Sequence, residues 1–250
     1  MKLPGVLKKS FYGFALVFLT FIFAFNRAPF ENPRVLVFSK TEGFRHASIK
    51  AGKSAFEKMA AEKGFTVDFT EDAGRFTNAN LKVYNAVVFL NTTGDVLNNG
   101  QQEEFERYIQ AGGGYLGIHS ATDCEYEWPW YGKLVGAYFL DHPNPNNVQK
   151  GKFYVVQKDN FATKGMPDEF ERTDEFYSFK QINPAINVLV KIDESSYQGG
   201  KNGKDHPMSW YHEYDGGRSF YTAMGHTDAT FSEPLFLNHV WAGLHYVMGG

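Results

Sequence analysis

The residues of this sequence that are best suited to do chemistry are histidines standing close to glycines. His46, His119 and His226 each lie within three residues of a glycine, and Glu175 adds a carboxylate from a fourth segment. Imidazole can ligate a divalent metal or act as a general base near neutral pH. Three imidazoles and one carboxylate from separate segments are a reasonable ligand set for a catalytic divalent metal, with a position left for water or a substrate hydroxyl. The sequence therefore predicts a catalytic site formed by these four residues, with a divalent metal such as zinc as its cofactor.

A second interpretation is that these histidines are hydrogen-bonding groups in a polar cleft that holds no metal. The chain contains no HxH or HExxH spacing, which would bring two ligands together locally. The fold must therefore bring the side chains together. With or without a metal, His119 is the residue that we expect to carry the function.

The elements that must position these residues alternate between strand and helix patterns. The predicted strands of the first half are residues 34–39, 65–69, 84–90 and 115–118, and the predicted helices are residues 49–63 and 101–110. Strands separated by helices of this length indicate right-handed βαβ units and a parallel sheet.

Shorter strand patterns with polar loops follow residue 150. They cover residues 153–157, 175–179, 187–192, 208–214 and 218–222, and a helix at residues 235–248 follows them. No internal repeat or linker divides the sequence. We therefore expect one domain over residues 33–250, in which this β-rich part packs on one edge of the sheet.

Polar side chains follow three of the predicted strands. Arg45 and His46 come after the first strand, Thr93 after the third, and His119 and Asp123 after the fourth. Ligands of parallel sheets bind at this carboxyl edge. We expect Arg45 and Thr93 to contact substrate, unless Arg45 forms a surface ion pair. Asp123 either orients His119 and contacts substrate, or caps the next helix.

Residues 113–121 have the pattern of a nucleophile elbow, which is a strand followed by a tight turn with small neighbours and a helix. The residue at its apex is His119. Imidazole does not replace the acyl-forming Ser or Cys of such elbows, but it can ligate a metal or act as a base. Ser120 lies one position past the apex. Cys124 is predicted to be a small buried residue rather than a nucleophile.

Two segments, GFRHASI at residues 43–49 and GGGYLGIHSATD at residues 112–123, resemble the signature segments of the trehalose-utilisation (ThuA-like) family. Three later segments follow in the family's order: GAYF leading to His142, DEFY at residues 174–177, and GRSFY leading to GHT. The resemblance covers the chain from about Arg34 to its end. It implies a class I glutamine amidotransferase-like, flavodoxin-related α/β fold and a role in carbohydrate utilisation. Since His119 stands where an amidotransferase has cysteine, a thiol amidotransferase is not expected.

Composition limits the partners. The formal net charge is −3 and the pI is near 6.2, so no nucleic-acid partner is expected. Aromatic residues make up 17% of the chain, and they either fill the core or stack on sugar rings. His142 is expected at the rim of the cleft, and Trp128 is either a sugar platform there or buried against a helix. The expected partner is a small-molecule carbohydrate.

The N-terminal residues resemble an export signal. Lys2, Lys8 and Lys9 precede an apolar run at residues 11–25, as in a secretory signal peptide. Because no small-x-small cleavage site precedes Ala28, a membrane anchor formed by the same run is the alternative. We therefore expect residues 1–30 to be a signal peptide or an anchor, and the protein to be exported to the periplasm or secreted.

These observations lead to one main prediction of function. The protein is expected to be an exported hydrolase or lyase that acts on a disaccharide or a keto-sugar derivative. A keto-sugar suits a histidine-rich metal site, because proton abstraction beside a carbonyl needs a base and a Lewis acid. The alternative is a non-catalytic sugar-binding or interaction module with the same fold.

Overall fold

The computed structural model of the protein describes Met1 and residues 32–250. The predicted signal peptide or anchor, including its apolar run at residues 11–25, therefore lies outside the described residues apart from Met1. Among the residues that are described, none of the helices is both long and apolar enough to cross a membrane.

The first half of the described chain alternates strands and helices, as predicted. The elements are β1 Arg34–Phe38, α1 Ile49–Lys63, β2 Thr66–Thr70, α2 Asn78–Leu81, β3 Ala86–Leu90, α3 Asn99–Gln110, β4 Gly114–Ile118 and α4 Pro129–Val135. The sequence patterns do not indicate the short helix α2, and the helix expected after the elbow is α4, which begins only at Pro129. Helix α1 ends at Gly64, whose φ of 77° is typical of a C-terminal cap. Helix α3 begins with a capping box formed by Asn98 and Gln101.

The second half is rich in strands. Its elements are β5 Tyr138–Asp141, β6 Val148–Val155, β7 Glu169–Glu175, β8 Ser178–Lys180, β9 Asn187–Asp193, β10 Pro207–Tyr214, β11 Gly217–Thr222 and α5 Pro234–Met248. One difference from the prediction concerns Glu175, which ends β7 rather than beginning a strand. The charged sequence of β7 hid this strand, because Arg172 and Asp174 are buried in it although their types are usually exposed.

Within the described residues, nine strands form one sheet in the order β2-β1-β3-β4-β11-β10-β9-β6-β7. The strands from β2 to β11 in this order are mutually parallel, and each later neighbour is antiparallel to the one before it. The mostly parallel, flavodoxin-like sheet with added C-terminal strands is therefore confirmed. Since the direction reverses at each of the four antiparallel pairings, β7 runs in the same direction as β11, and its carboxyl end lies at the same edge.

The core surrounds the centre of this sheet. Every residue of β3 and β4 is buried, as expected for parallel strands that are covered on both faces. Phe89 of β3 packs against Phe38, Phe105 and Tyr115, with ring centroids 5.3–5.5 Å apart. Much of the aromatic content thus fills the core, and the connections at the carboxyl edge of the sheet carry the buried polar groups.

Candidate functional site

His119 is presented by a strained turn at the end of β4. Its φ is 50°, a backbone conformation that few residues other than glycine adopt. Gly117 allows the close packing behind it, since a Cβ there would lie 2.8 Å from the Tyr115 hydroxyl. The His119 ring is fully buried, and its Nδ1 lies 2.8 Å from the carbonyl oxygen of Ala223. Because a carbonyl only accepts, Nδ1 carries a proton and Nε2 faces the site.

A buried hydrogen-bond network joins the loops that carry the other two histidines. Ser48 Oγ donates to the carbonyl oxygen of Gly225 at 3.0 Å. Asn91 Nδ2 donates to Ser48 Oγ at 2.9 Å and to the same carbonyl at 3.2 Å. This ties together the connections after β1, β3 and β11. As a result, His46 and His226 lie next to each other.

His46, His119, Glu175 and His226 form one compact group, which we call the histidine–glutamate cluster. One ligand atom from each residue lies within 4.8 Å of every other. Glu175 Oε2 is 3.2 Å from His119 Nε2 and 3.0 Å from His226 Nδ1. The two ring nitrogens are 3.3 Å apart. The structure thus brings together the four residues that the sequence selected, and the group they form could hold a metal ion.

The charges of the cluster follow from its burial. Burial, with the positive charge that His119 and His226 can carry, lowers the pKa of His46 to about 3. Burial by itself would raise the pKa of Glu175, but hydrogen bonds with His119 and His226 outweigh it and hold that pKa below its ordinary value. Burial opposes protonation of His226, yet the hydrogen bond to Glu175 raises its pKa. The centre of the cluster therefore attracts positive charge.

The cluster opens to solvent on one side. The side chain of His226 is 18% exposed and that of His142 is 31% exposed. Phe44 is 67% exposed, and its ring centroid lies 4.9 Å from that of His46. The exposed edge of the cluster is therefore formed by Phe44, His142 and His226.

The second oxygen of Glu175 faces the loop between β5 and β6. Glu175 Oε1 accepts a hydrogen bond from Asn147 Nδ2 at 2.6 Å and lies 3.8 Å from His142 Nε2. His142 Nδ1 donates to the carbonyl oxygen of Pro143 at 2.9 Å. His142 is thus at the rim of the site, where the sequence analysis placed it.

Thr93 and Asp123 lie near the site in different roles. Thr93 is buried, and its Oγ1 donates to the carbonyl oxygen of Phe44 at 2.9 Å, so it holds the loop that carries Phe44. The Asp123 carboxylate accepts a hydrogen bond from the Tyr126 hydroxyl at 2.6 Å. Burial raises the pKa of Asp123. The ring of His119 is oriented by Ala223 and not by Asp123.

Arg45 and Trp128 point away from the cluster. Both terminal guanidinium nitrogens of Arg45 donate to the carboxylate of Glu71 at 2.9–3.0 Å. Arg45 therefore forms a surface ion pair, which was the alternative to substrate contact. Trp128 is buried, stacks on Trp130 at 5.1 Å, and donates from Nε1 to Glu106. Its position matches the alternative of burial against a helix, so it presents no face to a sugar.

Sequence reasoning missed several residues that support the site. Ser120 Oγ lies 3.3 Å from His46 Nδ1, so it is a hydrogen-bond partner of one histidine of the cluster. The ring of Tyr177 packs on His119 with centroids 4.2 Å apart. Asn147 binds Glu175. Tyr177 lies in the DEFY segment and Ser120 in the elbow, so these two had a signal in the sequence, whereas Asn147 had none.

Cys124 is poorly placed to act as a nucleophile. Cys124 is fully buried, and burial raises the pKa of its thiol well above the ordinary value. A thiol of this kind is a poor nucleophile. The apex of the elbow is occupied by imidazole alone.

Comparison with known proteins agrees with the geometry. A flavodoxin-like sheet with a strained turn after its fourth parallel strand defines the chain as an α/β protein. The family model of ThuA, described as trehalose utilisation, matches residues 34–247. The chain therefore belongs to the ThuA family. No curated protein matches the chain.

Solved structures share this fold. A protein described as ThuA-like from Bacteroides uniformis is 24% identical, with a TM-score of 0.73 over 88% of this chain and 94% of that chain. A second, from Parabacteroides merdae, is 19% identical, with a TM-score of 0.70 over 87% and 90%. A cytoplasmic protein from Salmonella typhimurium is 15% identical, with a TM-score of 0.59 over 86% and 99%.

Proposed function

We propose that the protein is a metal-dependent carbohydrate-processing enzyme, a hydrolase or lyase, whose divalent ion is held by the histidine–glutamate cluster. One observation carries the proposal. The three shortest separations in the cluster, between His119 Nε2, His226 Nδ1 and Glu175 Oε2, are 3.0–3.3 Å. Ligands that bind zinc tetrahedrally at about 2.0–2.1 Å lie roughly 3.3–3.4 Å from one another. The cluster is thus close to one face of a coordination tetrahedron.

The protonation of the rings supports the same proposal. His119 donates from Nδ1 to a carbonyl, which directs Nε2 at Glu175 and His226. In metal sites, a hydrogen bond from the ring nitrogen that does not bind the metal usually sets the orientation of the histidine. Electron-pair donors at such short distances need a cation between them, which is either a proton or a metal ion. If His46 also bound the ion, the four protein ligands would complete a tetrahedron, so a sugar oxygen would have to enter as a fifth ligand from the solvent-facing side.

A keto-sugar or a disaccharide is the substrate class that fits this site. A bound divalent ion would act as a Lewis acid toward a carbonyl or hydroxyl oxygen. Phe44 offers an apolar face at the entrance, and the C–H face of a sugar ring can pack there. His142 lies at the rim, with Nδ1–H donating to Pro143 and Nε2 3.8 Å from Glu175 Oε1. These residues would hold the ring while its oxygen faces the cluster.

The proposal is tested by metal content and turnover measured together. We expect about one equivalent of a transition metal in purified protein, and turnover of at least one member of a panel of 3-keto-glycosides and disaccharides that includes trehalose. His119→Asn should abolish both, since asparagine tolerates the left-handed backbone but cannot replace the ring. His245→Ala, which removes an exposed histidine on α5, is the matched control.

Two outcomes would reject the enzyme proposal. Protein that holds no metal after loading and leaves the whole panel unchanged has neither the cofactor nor the activity. Protein that binds a sugar without turnover, and in which His119→Asn changes only the affinity, is the binding module considered as the alternative.

We also propose that the protein is exported. The support is the positive segment with Lys2, Lys8 and Lys9 followed by the apolar run at residues 11–25. Cell fractionation of the full chain, with the mass of the mature protein, tests this. Loss of about 30 residues indicates a cleaved signal, an intact chain in membranes indicates an anchor, and an intact chain in the cytosol contradicts export.

A further inference from the structure

Asp174 is a fully buried carboxylate next to Glu175 at the end of β7. Its Oδ1 accepts hydrogen bonds from the backbone N–H of Glu175 and of His226, both at 3.1 Å. Its Oδ2 accepts one from the backbone N–H of Gly225 at 3.0 Å. A single side chain therefore holds the backbone of two cluster members that come from different parts of the sheet.

The negative charge of Asp174 is balanced inside the protein. Arg172 lies 3.0 Å from Asp174 Oδ2, and Thr230 Oγ1 donates to the same oxygen at 3.2 Å. Arg172 also contacts Glu233 at 3.3 Å. Burying an ion pair of this kind contributes little net stability, because desolvation offsets the attraction. Its position beside the cluster points to a role in placing groups rather than in stabilising the fold.

We propose that Asp174 is a positioning residue that sets the distance between Glu175 and His226 for metal binding. The inference rests on the proposed metal site. Both backbone N–H groups bind the same oxygen, so a shift of the carboxylate moves both ligands together. Substitution of the groups that orient metal ligands typically costs about 10–100-fold in metal affinity, and we expect a loss in this range.

The test compares two buried carboxylates. In Asp174→Asn, the affinity for Co²⁺ and Zn²⁺, measured by competition with a chelator, should fall about 10–100-fold. The visible spectrum of the Co²⁺ protein should change as well, because the ligands move. Glu125→Gln is the matched control, since Glu125 is buried and accepts the backbone N–H groups of Val96 and Leu97 at 2.8 Å, next to α3. It should keep both the affinity and the spectrum.

A second variant covers the case in which Asp174→Asn does not fold because Arg172 loses its partner. Asp174→Glu keeps the charge but displaces the carboxylate by about one methylene, so it should fold and still bind metal more weakly. Unchanged affinity and spectrum in a folded variant would overturn the inference and leave the metal site intact. An equal loss in Glu125→Gln would also overturn it. If the unsubstituted protein bound no metal, the proposed function would fail together with this inference.

Discussion

His226 Nδ1 lies 3.0 Å from Glu175 Oε2, although β11 and β7 are four places apart in the sheet. In a flat sheet, with strands about 4.8 Å apart, these positions would be separated by roughly 19 Å. His226 lies in the connection after β11 rather than in the strand itself, and Asp174 accepts hydrogen bonds from the backbone on both sides of the gap. The site therefore depends on the added C-terminal strands as much as on the parallel core.

Divalent metal should stabilise the folded protein. At a free metal concentration about 100 times the Kd, binding adds about 2.7 kcal/mol to the free energy of unfolding, which corresponds to a rise in Tm of about 5–10 °C for a domain of this size. Thermal unfolding is recorded without Zn²⁺, with Zn²⁺, and again after EDTA has removed the metal, and the three Tm values give the shift. Glu175→Gln should lose it, and Glu71→Gln, which changes a surface carboxylate paired with Arg45, should retain it. An equal shift in both variants would place the metal elsewhere.

Phe44→Ala should weaken substrate binding and leave stability nearly unchanged. The ring is 67% exposed, so its removal creates no cavity. Loss of an aromatic contact worth about 0.5–1.5 kcal/mol corresponds to a roughly 2- to 10-fold rise in KM. Steady-state kinetics on the substrate found in the panel measures this. Phe161→Ala is the control, since Phe161 is also exposed but packs on Tyr246. A normal KM in Phe44→Ala would remove Phe44 from the substrate path.

His239 should make stability depend on pH. It is buried on α5, where Nδ1 donates to the carbonyl of Ala162 and Nε2 contacts Ser209, both at 2.7 Å. Burial lowers its pKa from 6.5 to about 4. Below about pH 6.5 the unfolded chain binds a proton at His239 that the folded protein does not bind. The contribution of neutral His239 to the free energy of unfolding is therefore complete above pH 6.5, and it is lost progressively as the pH falls to about 4. The total loss is about 3 kcal/mol.

Urea unfolding of the unsubstituted protein and of His239→Gln, at several pH values, isolates this effect. The difference in unfolding free energy between the two should shrink as the pH falls from about 7 to about 4, because other titrating groups cancel in the comparison. A difference that stays constant over this range would show that His239 is not held neutral.

Cys124 should be inert in the folded protein. It is fully buried, and burial raises the pKa of its thiol, so little thiolate is available to react. Iodoacetamide should modify it only after denaturation, and native treatment should leave activity intact. Mass spectrometry of native and unfolded samples checks this. Rapid native alkylation with loss of activity would revive a thiol mechanism.

Much of the fold could be predicted because local patterns agree with it. Strands β3 and β4 are buried on both faces, so they appear in the sequence as apolar runs, and α1 shows apolar residues at helical spacing before Gly64. Strand β7 could not be recognised in the same way. It buries Arg172 and Asp174, which compensate each other, so its pattern contains charges where a strand normally shows apolar residues.

The sequence by itself determined the main strands and helices of the first half, the family resemblance, and the four residues that meet at the carboxyl edge. It could do so because these depend on local periodicity and on short segments with particular neighbours. Only the tertiary structure decided that Arg45 pairs with Glu71, that Trp128 is buried, and that Ala223 orients His119. These contacts join segments far apart in the chain, so they depend on how the elements pack in three dimensions and not on local periodicity.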